Sequence, residues 1–141
     1  MTHDELIKRA VRWLRRSQKC RCVLAEPHTS STSEIPDAIG WRLGKSIVIE
    51  CKAGLSDFYS DRRKPSRKSG YGLGMLRYYL TAPGLLKNAT LPKYWGVLEC
   101  HPTLLRRVKI AVPVPNEDVD WISECAILAS QWPWKSWKEE E

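Results

Sequence analysis

Asp37, Glu50 and Lys52 are the residues whose types and spacing bear most directly on chemistry. The pair Pro36-Asp37 stands thirteen residues ahead of the triplet Glu50-Cys51-Lys52, which ends the apolar run Ile47-Val48-Ile49. Carboxylates and ammonium groups are costly to bury unless they are paired or coordinated. Two converging carboxylates raise each other's pKa, and a divalent cation removes that penalty. All-oxygen ligation suits Mg²⁺ or Mn²⁺. Lys52 beside such an ion would orient an attacking water or stabilise charge developing on a phosphate. Together with a basic chain, these groups point to phosphodiester hydrolysis. The competing reading is a plain Asp37–Lys52 cross-strand salt bridge with Glu50 solvated at a strand end, an arrangement worth little.

Those side chains converge only if two strands hold them in register. The runs Asp37–Leu43 and Ser46–Ala53 have strand character and are joined around Gly44-Lys45, a hairpin signal. Alternation puts Ile47, Ile49 and Cys51 on one face and Val48, Glu50 and Lys52 on the other. With Gly44 and Lys45 as the turn, Leu43 faces Ser46. Asp37 then lies opposite Lys52 and diagonal to Glu50, at roughly 7–8 Å. A three-residue turn would send Asp37 to the other face, so the site depends on register.

Around the hairpin, residues 2–18 read as an amphipathic helix whose apolar face carries Leu6, Ile7, Ala10, Val11, Trp13 and Leu14. A short strand is predicted near Arg21–Ala25. After Gly54, a short helix capped by Ser56 must end before Pro65. The basic, glycine-rich stretch that follows reads as a mobile loop. Strands are predicted within 75–82, 94–100 and 104–114. A final helix is expected over about 116–131, with Val119, Ile122, Cys125, Ala126 and Ala129 on its inner face. The order α-β-β-β-α-β-β-β-α implies a mixed sheet with helices packed on it, in a single domain.

Composition narrows the function. The chain has 141 residues, 43% hydrophobic and 28% charged, a folded rather than a disordered balance. A net charge of +7 and a pI near 9.3 favour an anionic partner. The chain lacks an apolar run of the roughly 20 residues that a bilayer span needs. It also lacks the apolar centre of a secretory signal, which points to the cytoplasm and away from membranes. Five cysteines without framework spacing read as reduced thiols. Cys20-x-Cys22 and Cys100-His101 do not match structural zinc spacing.

The basic stretch after the hairpin holds Arg62, Arg63, Lys64, Arg67 and Lys68, and Tyr71 follows among Gly70, Gly72 and Gly74. Its cations would contact phosphates without reading sequence, and Tyr71 would stack on an unpaired base. His28 lies in the Ser/Thr-rich loop before Pro36 and reads as an exposed loop histidine. Among seven tryptophans, Trp13 and Trp121 read as core. Trp41 shares the Asp37 face and either walls the site or packs under a helix. Trp132, Trp134 and Trp137 cluster near the end, as a partner surface or packed back on the domain.

Pro36-Asp37 followed by Glu50-Cys51-Lys52 resembles the motif of the PD-(D/E)xK nuclease superfamily. Ser56–Arg63, "SDFYSDRR", is similar to its small DNA-repair and Holliday-junction-resolvase-like members. The resemblance covers roughly Asp4 to Leu80. It implies an α/β, restriction-endonuclease-like core with a mixed central sheet flanked by helices, and Mg²⁺-dependent cleavage of DNA. By position, Asp37 and Glu50 become metal ligands and Lys52 the catalytic lysine. Many such nucleases add a glutamate from the first helix, a place that Glu5 fits. Thr2-x-x-Glu5 is equally a capping box. A resolvase-like activity would require a homodimer. The alternatives are a non-catalytic nucleic-acid-binding module on the same fold and an RNA-directed nuclease.

Overall fold

The computed structural model describes residues 1–29 and 34–131. Helix α1 (His3–Arg16) begins where Thr2 and Glu5 cap each other. The Glu5 amide donates to Thr2 Oγ1 at 3.2 Å, and the Thr2 amide donates to Glu5 Oε2 at 2.7 Å. Leu6, Ile7, Ala10, Trp13 and Leu14 form its buried face, and Arg15 and Arg16 complement the dipole in its last turn.

Six strands form one sheet in chain order: β1 (Cys22–Ala25), β2 (Ala38–Arg42), β3 (Lys45–Lys52), β4 (Leu76–Thr81), β5 (Gly96–Cys100) and β6 (Leu105–Lys109). The central pairs β3–β4 and β4–β5 are parallel, and the other three are antiparallel. Helices α2 (Leu55–Arg62) and α3 (Pro65–Ser69) make the crossover from β3 to β4, which a parallel pair requires. Helix α4 (Trp121–Gln131) follows a 3₁₀ turn at Asn116–Asp118. Among the described residues, no helix is long and apolar enough to cross a membrane.

Strand β3 is covered on both faces, which explains its unbroken apolar run. Ile47, Ile49 and Cys51 pack with Tyr78, Leu80 and Leu98 under α1. On the opposite face Val48 joins Ile39, Phe58, Tyr79, Trp95, Val97 and Ile127 under α2 and α4.

The hairpin register differs from the expected one. Its turn is Leu43-Gly44, with φ of 43° and 76°, not Gly44-Lys45. Two positive φ values give a type I′ turn, whose twist matches the flanking strands. Ala38 therefore pairs with Ile49, and the register carried one residue further sets Asp37 opposite Glu50 rather than Lys52. The displacement is two residues, so every side chain keeps its face.

Two local expectations also change. Gly54, not Ser56, occupies the N-cap of α2, without a side-chain bond. The basic stretch is structured: Pro65 starts α3, and the buried Arg77 guanidinium donates to the carbonyls of Gly70, Gly72, Gly74 and Asp118 at 2.8–3.3 Å. Those bonds take up the Gly70 and Gly74 carbonyls and add a second donor to the Gly72 and Asp118 carbonyls, which already accept from the Asp120 and Gly72 amides.

Helix α4 turns the face opposite to its apolar stripe inward. Ile122 is 83% exposed and Cys125 and Ala129 face outward, while Glu124 and Ile127 are buried. The Glu124 carboxylate explains this. It accepts from Trp41 Nε1 (3.0 Å), Ser46 Oγ (3.0 Å) and the Gly74 amide (2.9 Å), tying α4 to the sheet. Burial pushes its pKa up, and these donors pull the other way. Trp41 thus packs under a helix. Trp121 is half-buried and bonded to Asn116, whereas Trp95, at 1% exposure, is a core tryptophan. Trp132, Trp134 and Trp137 lie outside the described residues.

Candidate active site

The end of β3 carries Glu50 and Lys52 on the face covered by α2 and α3, while the loop entering β2 delivers Asp37 from the adjacent strand. Asp37 Oδ2 accepts from the Cys51 amide at 2.7 Å, so this carboxylate is fixed to the backbone of the Glu-x-Lys triplet. His3 Nε2, at the start of α1, lies 3.3 Å from the same oxygen.

Glu50 is 4% exposed and badly provided for. Among the described residues its buried Oε1 has no hydrogen-bond partner. Arg67 Nη2 stands 3.8 Å from Oε1 and Lys52 Nζ 3.9 Å from Oε2, beyond hydrogen-bond reach. Burial, and next the charge of Asp37, push its pKa up to about 8, with Arg67 and Lys52 only partly offsetting them. A buried, unsatisfied acceptor is costly, and a cation is the group that would relieve this one.

Asp61 on α2 is the opposite case. It accepts from Arg67 Nε (2.8 Å) and Nη2 (3.0 Å) and from Tyr79 Oη (2.6 Å), and Lys64 and Lys52 Nζ lie 3.2 and 3.3 Å away. Burial would raise its pKa, but the Arg67 bonds and charge, with Tyr79 and Lys52, hold it well below the usual carboxylate range. Tyr79 is shifted the other way, by burial and by donating to Asp61. The Lys52 side chain is 11% exposed, and its ammonium sits between this fixed anion and Glu50.

Lys52, Asp61, His3, Asp57, Ser60 and Lys64 border an open cleft of about 360 Å³. Beside it, one ligand atom from each of His3, Glu26 and Asp37 lies within 4.8 Å of the others. A nitrogen among oxygens suits Mn²⁺ or Zn²⁺ better than Mg²⁺.

The structure thus brings Asp37, Glu50 and Lys52 to one end of one strand pair. Glu5 is engaged in the capping box described above. Arg67 requires correction: it is buried, bonds Asp61, pairs with Glu34 at 2.8 Å and stacks over Trp95 at 4.5 Å. A guanidinium so engaged is not available to a phosphate. Lys64 bridges to Asp61, and Arg62 lies over the Tyr59 ring and donates to the Thr90 carbonyl. Arg63, Lys68, Tyr71 and His28 are exposed. Asp61, Tyr79, Glu34, His3 and Glu26 were not identified from sequence. Only Asp61 had a local signal, four residues after Asp57 on a short helix that follows the triplet.

No family model matches the chain, and no curated protein matches it. Among solved structures, the SPO1766 protein of unknown function from Silicibacter pomeroyi is similar in fold. Its TM-score is 0.64 at 16% identity, over 92% of this chain and 87% of that one.

Proposed function

We propose that the protein is a metal-dependent endonuclease that hydrolyses phosphodiester bonds in DNA, on a restriction-endonuclease-like core. The observation that carries this reading is the buried Glu50 oxygen without a partner, held near Asp37 and Lys52, the latter of which lines an open cleft. Asp37 and Glu50 would hold a Mg²⁺ or Mn²⁺ ion, in keeping with their all-oxygen donor set. Such an ion, when bound, lowers the pKa of its water and neutralises charge on a phosphate.

The protein groups divide the remaining work. Asp61, kept ionised by Arg67 and Tyr79, holds the Lys52 ammonium in place. Lys52 is then a fixed positive charge for the reacting phosphate. Arg67 and Trp95 make the wall behind it rigid.

A second reading, a nucleic-acid-binding module without catalysis, is favoured by one contact. Lys52 lies 3.3 Å from a carboxylate that must be outcompeted before the ammonium can serve a phosphate.

Cleavage assays decide between them. Duplex, flap, junction and single-stranded DNA, with matched RNA, are incubated with Mg²⁺ or Mn²⁺. The nuclease reading predicts DNA products that EDTA abolishes and that Asp37→Ala and Lys52→Ala each reduce by at least about 10²-fold. Undiminished cleavage by a pure Lys52→Ala protein, or no product with either metal, overturns it. Cleavage confined to RNA would redirect it to an RNA nuclease.

A further inference from the structure

The net charge of this protein has an address. Residues 6–25 contain seven Lys and Arg and no Asp or Glu. The chain as a whole has 23 Lys and Arg against 16 Asp and Glu, so everything outside that stretch balances at sixteen of each. A charge equal to the whole excess of +7 thus sits on one stretch, from the second turn of α1 through β1, and the acids of α1 are confined to its first turn, at Asp4 and Glu5.

Folding leaves this charge in the open. Because α1 buries Leu6, Ile7, Ala10, Trp13 and Leu14 against the sheet, Lys8, Arg12, Arg15 and Arg16 are exposed, as are Lys19 and Arg21 beyond its end. Among the described residues none of the seven takes part in an ion pair. Lys8, Arg12 and Arg16 repeat every four residues, as do Arg15 and Lys19, a like-charge pattern that weakens an isolated helix. Arg9 donates to the His101 carbonyl at 2.8 Å. With Arg12, Arg16, Thr103 and Leu104 it lines a groove of about 490 Å³.

We infer that this face of α1 binds the sugar-phosphate backbone of duplex DNA. On this face the helix offers cations outside any ion pair and no exposed indole, phenol or phenyl ring, since Trp13 is buried, so it contacts backbone and supplies no such platform for unpaired bases. Its apolar face is covered by the sheet, which removes the surface that an interfacial membrane helix inserts. The geometry also connects to the cleft. His3 lines it, Lys8 follows about 8 Å further along the axis, and Lys8 to Arg16 covers about 12 Å, the rise of three to four nucleotides. The choice of DNA over an RNA duplex rests on the nuclease reading; the polyanion surface does not.

The test is fluorescence anisotropy of the full chain with a short labelled DNA duplex, in EDTA, over a salt series. Arg12→Glu/Arg16→Glu is expected to weaken binding by about tenfold or more at low salt and to flatten the log–log salt slope by about 2. The charge-matched pair Arg63→Glu/Lys68→Glu, in the tract after the site, is expected to lose distinctly less. Equal losses from both pairs, a larger loss from the second, or none from the first overturn the inference. So does tighter binding to an RNA duplex or to phosphatidylserine–phosphatidylcholine vesicles run in parallel. Because EDTA removes cleavage, a chain that binds through α1 yet cuts nothing loses only the nuclease reading. A chain that cuts DNA with an affinity indifferent to Arg12 and Arg16 loses only this one.

Discussion

Glu50 is where the physical chemistry of the site concentrates. Its pKa is raised in the folded state to about 8, against an ordinary value of 4.5. Between those values the folded chain holds a proton that the unfolded chain has released, so stability falls as pH rises through this window. The metal-free protein should therefore lose stability steadily between pH 5 and 8, seen as a falling Tm. Glu50→Gln should flatten that dependence and melt above the wild type at pH 8. Melting curves in EDTA check this, and parallel pH profiles for the two proteins would contradict it. Asp61 does not share this behaviour, because Arg67 and Tyr79 satisfy it fully. The two buried acids thus differ in provision, one complete and one open.

At the scale of elements, the β2–β3 hairpin sets the relation between Asp37 and Glu50. Period-2 alternation in β3 made the two faces readable, and they stand as read. The turn was not readable, because leucine seldom adopts positive φ. Leu43 does so at 43° while 86% exposed, and contributes little packing in return. Leu43→Asn installs the residue that a type I′ turn favours before Gly44. It should raise stability by about 0.5–1 kcal/mol, or about 2–4 °C, without changing DNA binding or cleavage. An unchanged or lowered Tm would mean the turn is not as described. Helix α4 teaches a different lesson. Its apolar stripe Ile122, Cys125, Ala129 pointed inward on pattern alone, whereas the buried side chain is Glu124, whose partners come from three distant segments.

Over the whole molecule, the six strands and helices α1, α2 and α4 were legible in sequence because they rest on local periodicity, whereas α3 lay in a stretch that reads as a loop. What was not legible rests on contacts between elements. The Asp61–Arg67–Tyr79 cluster joins α2, α3 and β4, and no spacing rule connects residues 61, 67 and 79. That cluster also takes two cations out of the basic tract after the site. Sequence counts its cations together, while the fold assigns Arg67 and Lys64 to a buried carboxylate and leaves Lys8, Arg12, Arg15, Arg16, Lys19 and Arg21 exposed. Charge composition therefore points to an anionic partner without saying which surface would meet it.

The account depends on Glu50 and Asp37 sharing a cation, and one measurement addresses that directly. Crystals soaked in Mn²⁺ would be used for an anomalous difference map at the manganese edge. The account predicts a peak coordinated by Asp37 and Glu50, lost in Glu50→Gln crystals treated alike. A map without a peak there, or with manganese held by His3, Glu26 and Asp37 while Glu50 stays unligated, would contradict it.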